Sequence, residues 1–101
     1  MQAIKTTEEI NQLFVTDLEK INLLGRAKFS CVQILECLKK IPQTSVQKLA
    51  KELGVSSPTA RTGLNNLVKL GIVVEITGKR RDKFYVYKKY LELLEVGTEP
   101  I

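Results

Sequence analysis

Arg61, Thr62, Asn65 and Lys69 recur at helical spacing in the second half of the chain, and Lys79, Arg80 and Arg81 follow as one run. These residue types bind nucleic acid rather than break bonds. An arginine forks onto a guanine edge, an asparagine pairs with adenine, and threonine and lysine donate to phosphate oxygens. Thr59 and Asn66 flank the set, and Ser57 stands where a helix would begin and its free backbone N–H groups would favour an anion. The candidate contacts to duplex DNA are therefore Ser57, Thr59, Arg61, Thr62, Asn65, Asn66, Lys69, Lys79, Arg80 and Arg81. A merely solvated polar face, or a protein partner, competes for the same residues.

The charge balance supports that choice of segment. Net charge is +5, but residues 42–89 hold ten Lys/Arg against Glu52, Glu75 and Asp82, while the remainder sums to −2. A local positive field attracts phosphate backbones or acidic protein surfaces. Catalysis has little to work with. No histidine occurs, which removes Ser-His-Asp and Cys-His nucleophile systems, histidine bases and histidine metal sites. Cys31 and Cys37 lack any paired CxxC spacing and are expected to be reduced packing residues, which points to a cytoplasmic setting. No catalytic residue, metal ligand or cofactor is expected. The first residues lack an apolar signal core and no run reaches the ~18 apolar residues of a membrane span, so a soluble, unprocessed chain with no membrane partner is expected.

A chain of 101 residues, 44% hydrophobic and 27% charged, suits one compact domain. Thr6-Thr7-Glu8-Glu9 reads as a capping box opening a long amphipathic helix over about residues 7–24, with Ile10, Leu13, Phe14, Leu18, Ile21 and Leu24 on its apolar stripe. Gly25 ends or bends it. Ala27, Cys31, Val32, Leu35, Leu38 and Ile41 form a second stripe, stopped by Pro42. Thr44-Ser45 caps a short helix carrying Val46, Leu49, Ala50 and Leu53, and Gly54 turns the chain in the left-handed conformation. Ser57-Pro58 reads as a cap and first helical residue for a fourth helix with Ala60, Gly63, Leu64 and Leu67 inward, ending at Gly71.

Ile72, Val74 and Ile76 alternate with Val73 and Glu75, and residues 83–87 are aromatic and β-branched, so a β-hairpin with a basic turn over residues 77–82 follows. Phe84 is expected in the core and Tyr85 and Tyr87 half-exposed, with Phe14 and Phe29 as packing residues. Tyr90, Leu91 and Leu94 return to helical spacing in a last short helix. Three helices, the last two joined by a tight turn at Gly54, and then a basic hairpin make a winged helix-turn-helix. The fold class is thus mainly α with a small β-hairpin, a winged helix-turn-helix preceded by a long N-terminal helix. The expected division is a connector helix over 1–25, the winged-helix domain over 26–96 and a frayed tail over 97–101.

The closing words of the chain carry a further likeness. Leu70-Gly71-Ile72-Val73, Ile76-Thr77-Gly78-Lys79-Arg80-Arg81-Asp82-Lys83, Val86-Tyr87-Lys88-Lys89-Tyr90-Leu91-Glu92-Leu93-Leu94 and Gly97-Thr98-Glu99-Pro100 together resemble the carboxyl-terminal region of Fic-family proteins. Asp17-Leu18-Glu19-Lys20-Ile21, Leu24-Gly25-Arg26-Ala27 and Ser57-Pro58-Thr59-Ala60 extend the resemblance over most of the chain. It implies an upstream helical catalytic domain that transfers AMP from ATP to a hydroxyl side chain of a target protein. The catalytic motif, HPFxxGNGRxxR, needs a histidine that this chain lacks, and the inhibitory [S/T]xxxE[G/N] helix has no match. The likeness therefore implies the non-enzymatic tail of a longer bacterial Fic protein, with the first helix leading out of the catalytic domain. In such proteins the winged helix is assigned to DNA binding, with target recruitment, protomer pairing or restraint of the catalytic domain as alternatives. A free-standing small regulator, and a homodimer through the N-terminal helix, remain open on the sequence.

Overall fold

The structure is a computed structural model that describes residues 2–79 and 82–98. Its elements run α1 (Gln2–Asn22), α2 (Lys28–Lys40), β1 (Gln43–Thr44), α3 (Val46–Leu53), α4 (Ser57–Lys69), β2 (Val74–Lys79), β3 (Asp82–Val86) and α5 (Lys88–Thr98). α1 begins well before Thr6, so the expected capping box lies within the helix. Gln2 to Lys5 contain no helix breaker, and nothing in them stops the helix from extending upstream. Residues 99–101 of the expected tail lie outside the described residues.

The centre of the domain is the angle between α3 and α4. Ser45 caps α3 by accepting the Lys48 N–H at 3.3 Å, and Gly54 closes it with φ 67°, a left-handed conformation that costs glycine little. The N–H groups of Gly54 and Val55 both return to the Ala50 carbonyl, which reverses the chain within three residues. The α4 cap is Ser56 rather than the expected Ser57: the Ser56 hydroxyl accepts the Thr59 N–H at 3.3 Å and meets the Thr59 hydroxyl at 2.9 Å. Pro58 is consequently the second helical residue, still within the turn where a missing N–H costs nothing.

Leu49, Ala60, Leu64 and Leu67 fill the helix angle and meet Cys31, Ile34, Leu35 and Leu38 of α2. Each fully buried aliphatic side chain contributes roughly 1.5–3 kcal/mol. Ile34, absent from the expected stripe, is buried, whereas Ile41, placed on it, is exposed. Ile34 faces Gly63 of α4, where its Cδ1 occupies the space that a β-carbon would take, so the two helices lie close together there. Across the same contact the Cys31 thiol donates to the Gly63 carbonyl at 3.7 Å. Both cysteines are free, Cys31 buried and Cys37 half-buried.

The hairpin is longer than its sequence indicates, and it has a neighbour. β2 pairs antiparallel with β3 from Val74↔Val86 to Lys79↔Asp82, with a bulge between Thr77 and Lys79, so much of the expected turn over 77–82 is strand. Ile72 and Val73, expected to start the strand, are instead buried in the bend after Gly71. Gln43 and Thr44 add a third strand on the other edge of β3, in the order β1-β3-β2. Two residues are too few for an alternation pattern to reveal, which is why only the cap was legible there.

The pleat of β3 reverses the expected aromatic pattern. Tyr85 and Tyr87 are buried, while Phe84 is 47% exposed beside Val74 and Ile76 on the outer face. The tyrosines fit inside because their hydroxyls find partners: Tyr85 donates to Glu75 at 3.3 Å and Tyr87 to Asp17 at 2.5 Å. That second bond joins α1 to the end of the sheet. Asp17 takes the inward place expected of Leu18, lying 2% exposed among Leu13, Phe14 and Ile21 with Lys20 at 3.7 Å. Phe14 stacks edge-on against Tyr90, which donates to the Lys39 carbonyl at 2.8 Å, and the Lys39 ammonium sits 4.6 Å from the Phe14 ring centre. Phe29, expected to pack, is 81% exposed.

Tyr87 makes the fold sensitive to alkali. Burial, then the hydrogen bond and charge of Asp17, hold its hydroxyl far above the ordinary phenol range. The unfolded chain ionises Tyr87 near pH 10 while the folded chain retains the proton, so this contribution is complete below about pH 10 and declines by about 1.4 kcal/mol per pH unit above it. Tyr85, raised by burial and then by Glu75, acts in the same direction. Urea midpoints measured from about pH 8 to pH 11 are expected to fall less steeply for Tyr87→Phe than for the native chain; parallel profiles would exclude this source of alkaline sensitivity.

Candidate nucleic-acid interface

α4 is held by one side and leaves the other open. Ala60, Gly63, Leu64 and Leu67 face inward, and at 100° per residue this turns Arg61, Thr62, Asn65 and Lys69 outward, all exposed. The remaining α4 candidates divide between two flanks. Thr59 and Asn66 lie toward α2, where with Thr62 and Pro58 they border a shallow cleft against Ala27 and Ser30. The Thr59 hydroxyl is already engaged by Ser56. Ser57 lies on the opposite flank, facing the hairpin.

That second flank is a cleft of about 590 Å³ lined by Ser45, Gln47, Ser57, Arg61, Lys83 and Tyr85. Arg61 and Lys83 thus approach one space from a helix and a strand. The Arg61 guanidinium lies close enough to Tyr85 to oppose the upward shift of its hydroxyl. The cleft also carries a counter-charge: Glu75 accepts from Tyr85 and lies 3.9 Å from the Lys83 ammonium. An exposed pair at that distance is weak. A phosphate entering the cleft competes with the Glu75 carboxylate for Lys83, while Arg61 has no ion pair with an acid among the described residues within 4.0 Å.

Lys79 ends β2, and Arg80 and Arg81, the other two candidates of the wing, lie outside the described residues. Other cations sit beside α4 without having been singled out in the sequence. Lys48 and Lys51 of α3, both exposed, border an open groove that runs past Gly54 to Ser57. Lys83 points into the α4 cleft. All three belong to the basic half of the chain, so the signal was present in the charge count; what was missing was the direction each side chain takes.

A three-helix unit with a tight α3–α4 turn, followed by the β2–β3 hairpin and completed by β1 from the α2–α3 link in the sheet order β1-β3-β2, defines a winged helix-turn-helix. The family model of the HTH domain matches residues 32–85, more than half of the chain, and the chain belongs to that family. The match starts in α2 and ends in β3, so it takes in the α3–α4 pair and the hairpin but carries no membership of the Fic family. No curated protein and no solved structure matches the chain. Among the described residues, no helix is long and apolar enough to cross a membrane.

Proposed function

We propose that the chain binds duplex DNA with α4 in the major groove and the β2–β3 hairpin beside it. The observation that carries this reading is the open face of α4, where Arg61, Thr62, Asn65 and Lys69 project together while Gly63 and Leu64 tie the helix to α2. A helix of about 20 Å suits the groove, and its outward side chains include both types that fork onto base edges. Lys48 and Lys51 on α3, Lys83 in the cleft, and Lys79, Arg80 and Arg81 on the wing serve the phosphates on either side. Thr59 and Asn66 take a secondary part, at the flank toward α2.

Backbone contacts of this kind release counterions. With about five cations engaged, log affinity falls against log salt with a slope of roughly −4 to −5, and Arg80→Ala with Arg81→Ala lowers that slope by roughly 2. Fluorescence anisotropy of a labelled duplex across a salt series measures both. Absence of duplex binding at low salt, or a slope unaffected by the paired substitution, counts against the wing's role.

The Fic likeness supports a second layer of the same proposal: a module that follows a catalytic domain on a longer chain, with residues 1–25 as the connector and 26–96 as the winged helix. An upstream reading frame containing HPFxxGNGRxxR would establish it. A protein-interaction role is the alternative, and one observation favours it. α1 commits Leu13, Phe14 and Ile21 to the core yet still exposes Val15 and Leu18.

A further inference from the structure

The outer side of α1 has the spacing of a coiled-coil seam. Glu8, Asn11, Val15, Leu18 and Asn22 follow one another at three and four residues, and every one is exposed. The inward residues Leu13, Asp17 and Ile21 lie well round the helix from Val15, while Leu18, four residues after Phe14 and three before Ile21, stands at the edge of the core stripe and still reaches solvent. Val15 is 50% and Leu18 40% exposed, an apolar centre bracketed by two asparagines. Just beyond it, at the α1–α2 corner, Leu23 and Phe29 are 84% and 81% exposed.

We propose that this side of α1 binds a second copy of the chain, the two helices running antiparallel about a two-fold axis between Val15 and Leu18. Antiparallel seams pair unlike heptad positions, and this one is self-complementary in that register. Val15 of one copy meets Leu18 of the other. Asn11 meets Asn22, an amide pair that can satisfy itself by hydrogen bonding and penalises slipped registers, since displacement sets an amide against Val15 or Leu18.

The charges match as well. Acidic Glu8 of one copy falls beside the corner of the other that bears Arg26, with Lys28 close by in sequence; a parallel arrangement instead stacks Glu8 on Glu8. The seam is short, and a dimer in the micromolar range is what so small an apolar centre supports.

Sedimentation of the whole chain, without DNA, tests this over about 5 to 500 μM. The native chain is expected to pass from monomer to dimer. Leu18→Glu, a substitution at an exposed site whose folding is checked by circular dichroism, is expected to weaken the dimer at least about 30-fold because both copies change. Glu8→Lys and Arg26→Glu are each expected to weaken it about 3- to 10-fold, and the double variant to restore it. A monomer at all concentrations overturns the proposal. So does a dimer indifferent to Leu18→Glu, which would place the contact elsewhere, such as the Val74, Ile76 and Phe84 face of the hairpin. Failure of the double variant to recover overturns the antiparallel register.

Discussion

Replacing Arg61 with alanine is expected to lower affinity for duplex DNA about 10- to 100-fold, equivalent to roughly 1–3 kcal/mol, without disturbing the fold. Its side chain lies on the open face of α4, one turn from Ser57 and at the mouth of the cleft shared with Lys83. The backbone beneath it is fixed from behind by Ala60 and Leu64, so the cost of ordering falls mainly on the guanidinium itself. Arg61→Lys separates the two uses of this residue. A lysine keeps a phosphate contact but cannot fork onto a guanine. If Arg61 reads a base, Arg61→Lys behaves like Arg61→Ala and the loss depends on duplex sequence; if it holds a phosphate, Arg61→Lys binds nearly as the native chain does and Arg61→Ala lowers the salt slope by about 1. Anisotropy titrations of the three proteins against two unrelated duplexes decide the matter, and equal affinity throughout would falsify the placement of α4 in the groove.

The largest effect on stability is expected from Tyr87→Phe, at about 2–4 kcal/mol. The substitution leaves shape and apolar area nearly unchanged and deletes one hydroxyl. That hydroxyl is the donor to Asp17, a carboxylate 2% exposed whose other charged neighbour, Lys20, is 3.7 Å away and partly solvated. Without it, a buried charge loses its short hydrogen bond, and the full desolvation cost remains. In a domain whose total stability is of order 5–15 kcal/mol, a loss of this size is readily seen in a urea midpoint. Asp17→Leu combined with Tyr87→Phe removes donor and acceptor together and is expected to recover most of the loss. A coupling energy below about 0.5 kcal/mol in this double-mutant cycle would show that Asp17 and Tyr87 act independently.

The same pair marks how far the sequence can be read. The turn at Gly54, the inward set Ala60, Gly63, Leu64 and Leu67, and the outward set Arg61, Thr62, Asn65 and Lys69 follow from helical periodicity and a positive φ, which are local properties. The assignments of Leu18, Phe29, Ile41 and Phe84 to the interior did not hold, and in each case hydrophobicity alone favoured burial. Phe84 is exposed because burying Tyr85 and Tyr87 fixes the pleat, and successive strand residues point to opposite faces. Leu18 is exposed because Asp17 occupies the inward position and is satisfied there by a residue 70 positions away.

Order along the chain, charge segregation and residue periodicity by themselves determined a winged helix-turn-helix with a cationic half, because each depends on residues within a few turns of one another. The third strand, the aromatic face that turns inward, the Asp17–Tyr87 bond, and the convergence of Arg61 and Lys83 on one cleft were decided only by the tertiary structure. Each pairs groups far apart in the chain, and a buried polar atom reveals its partner only when the distant segment has folded against it.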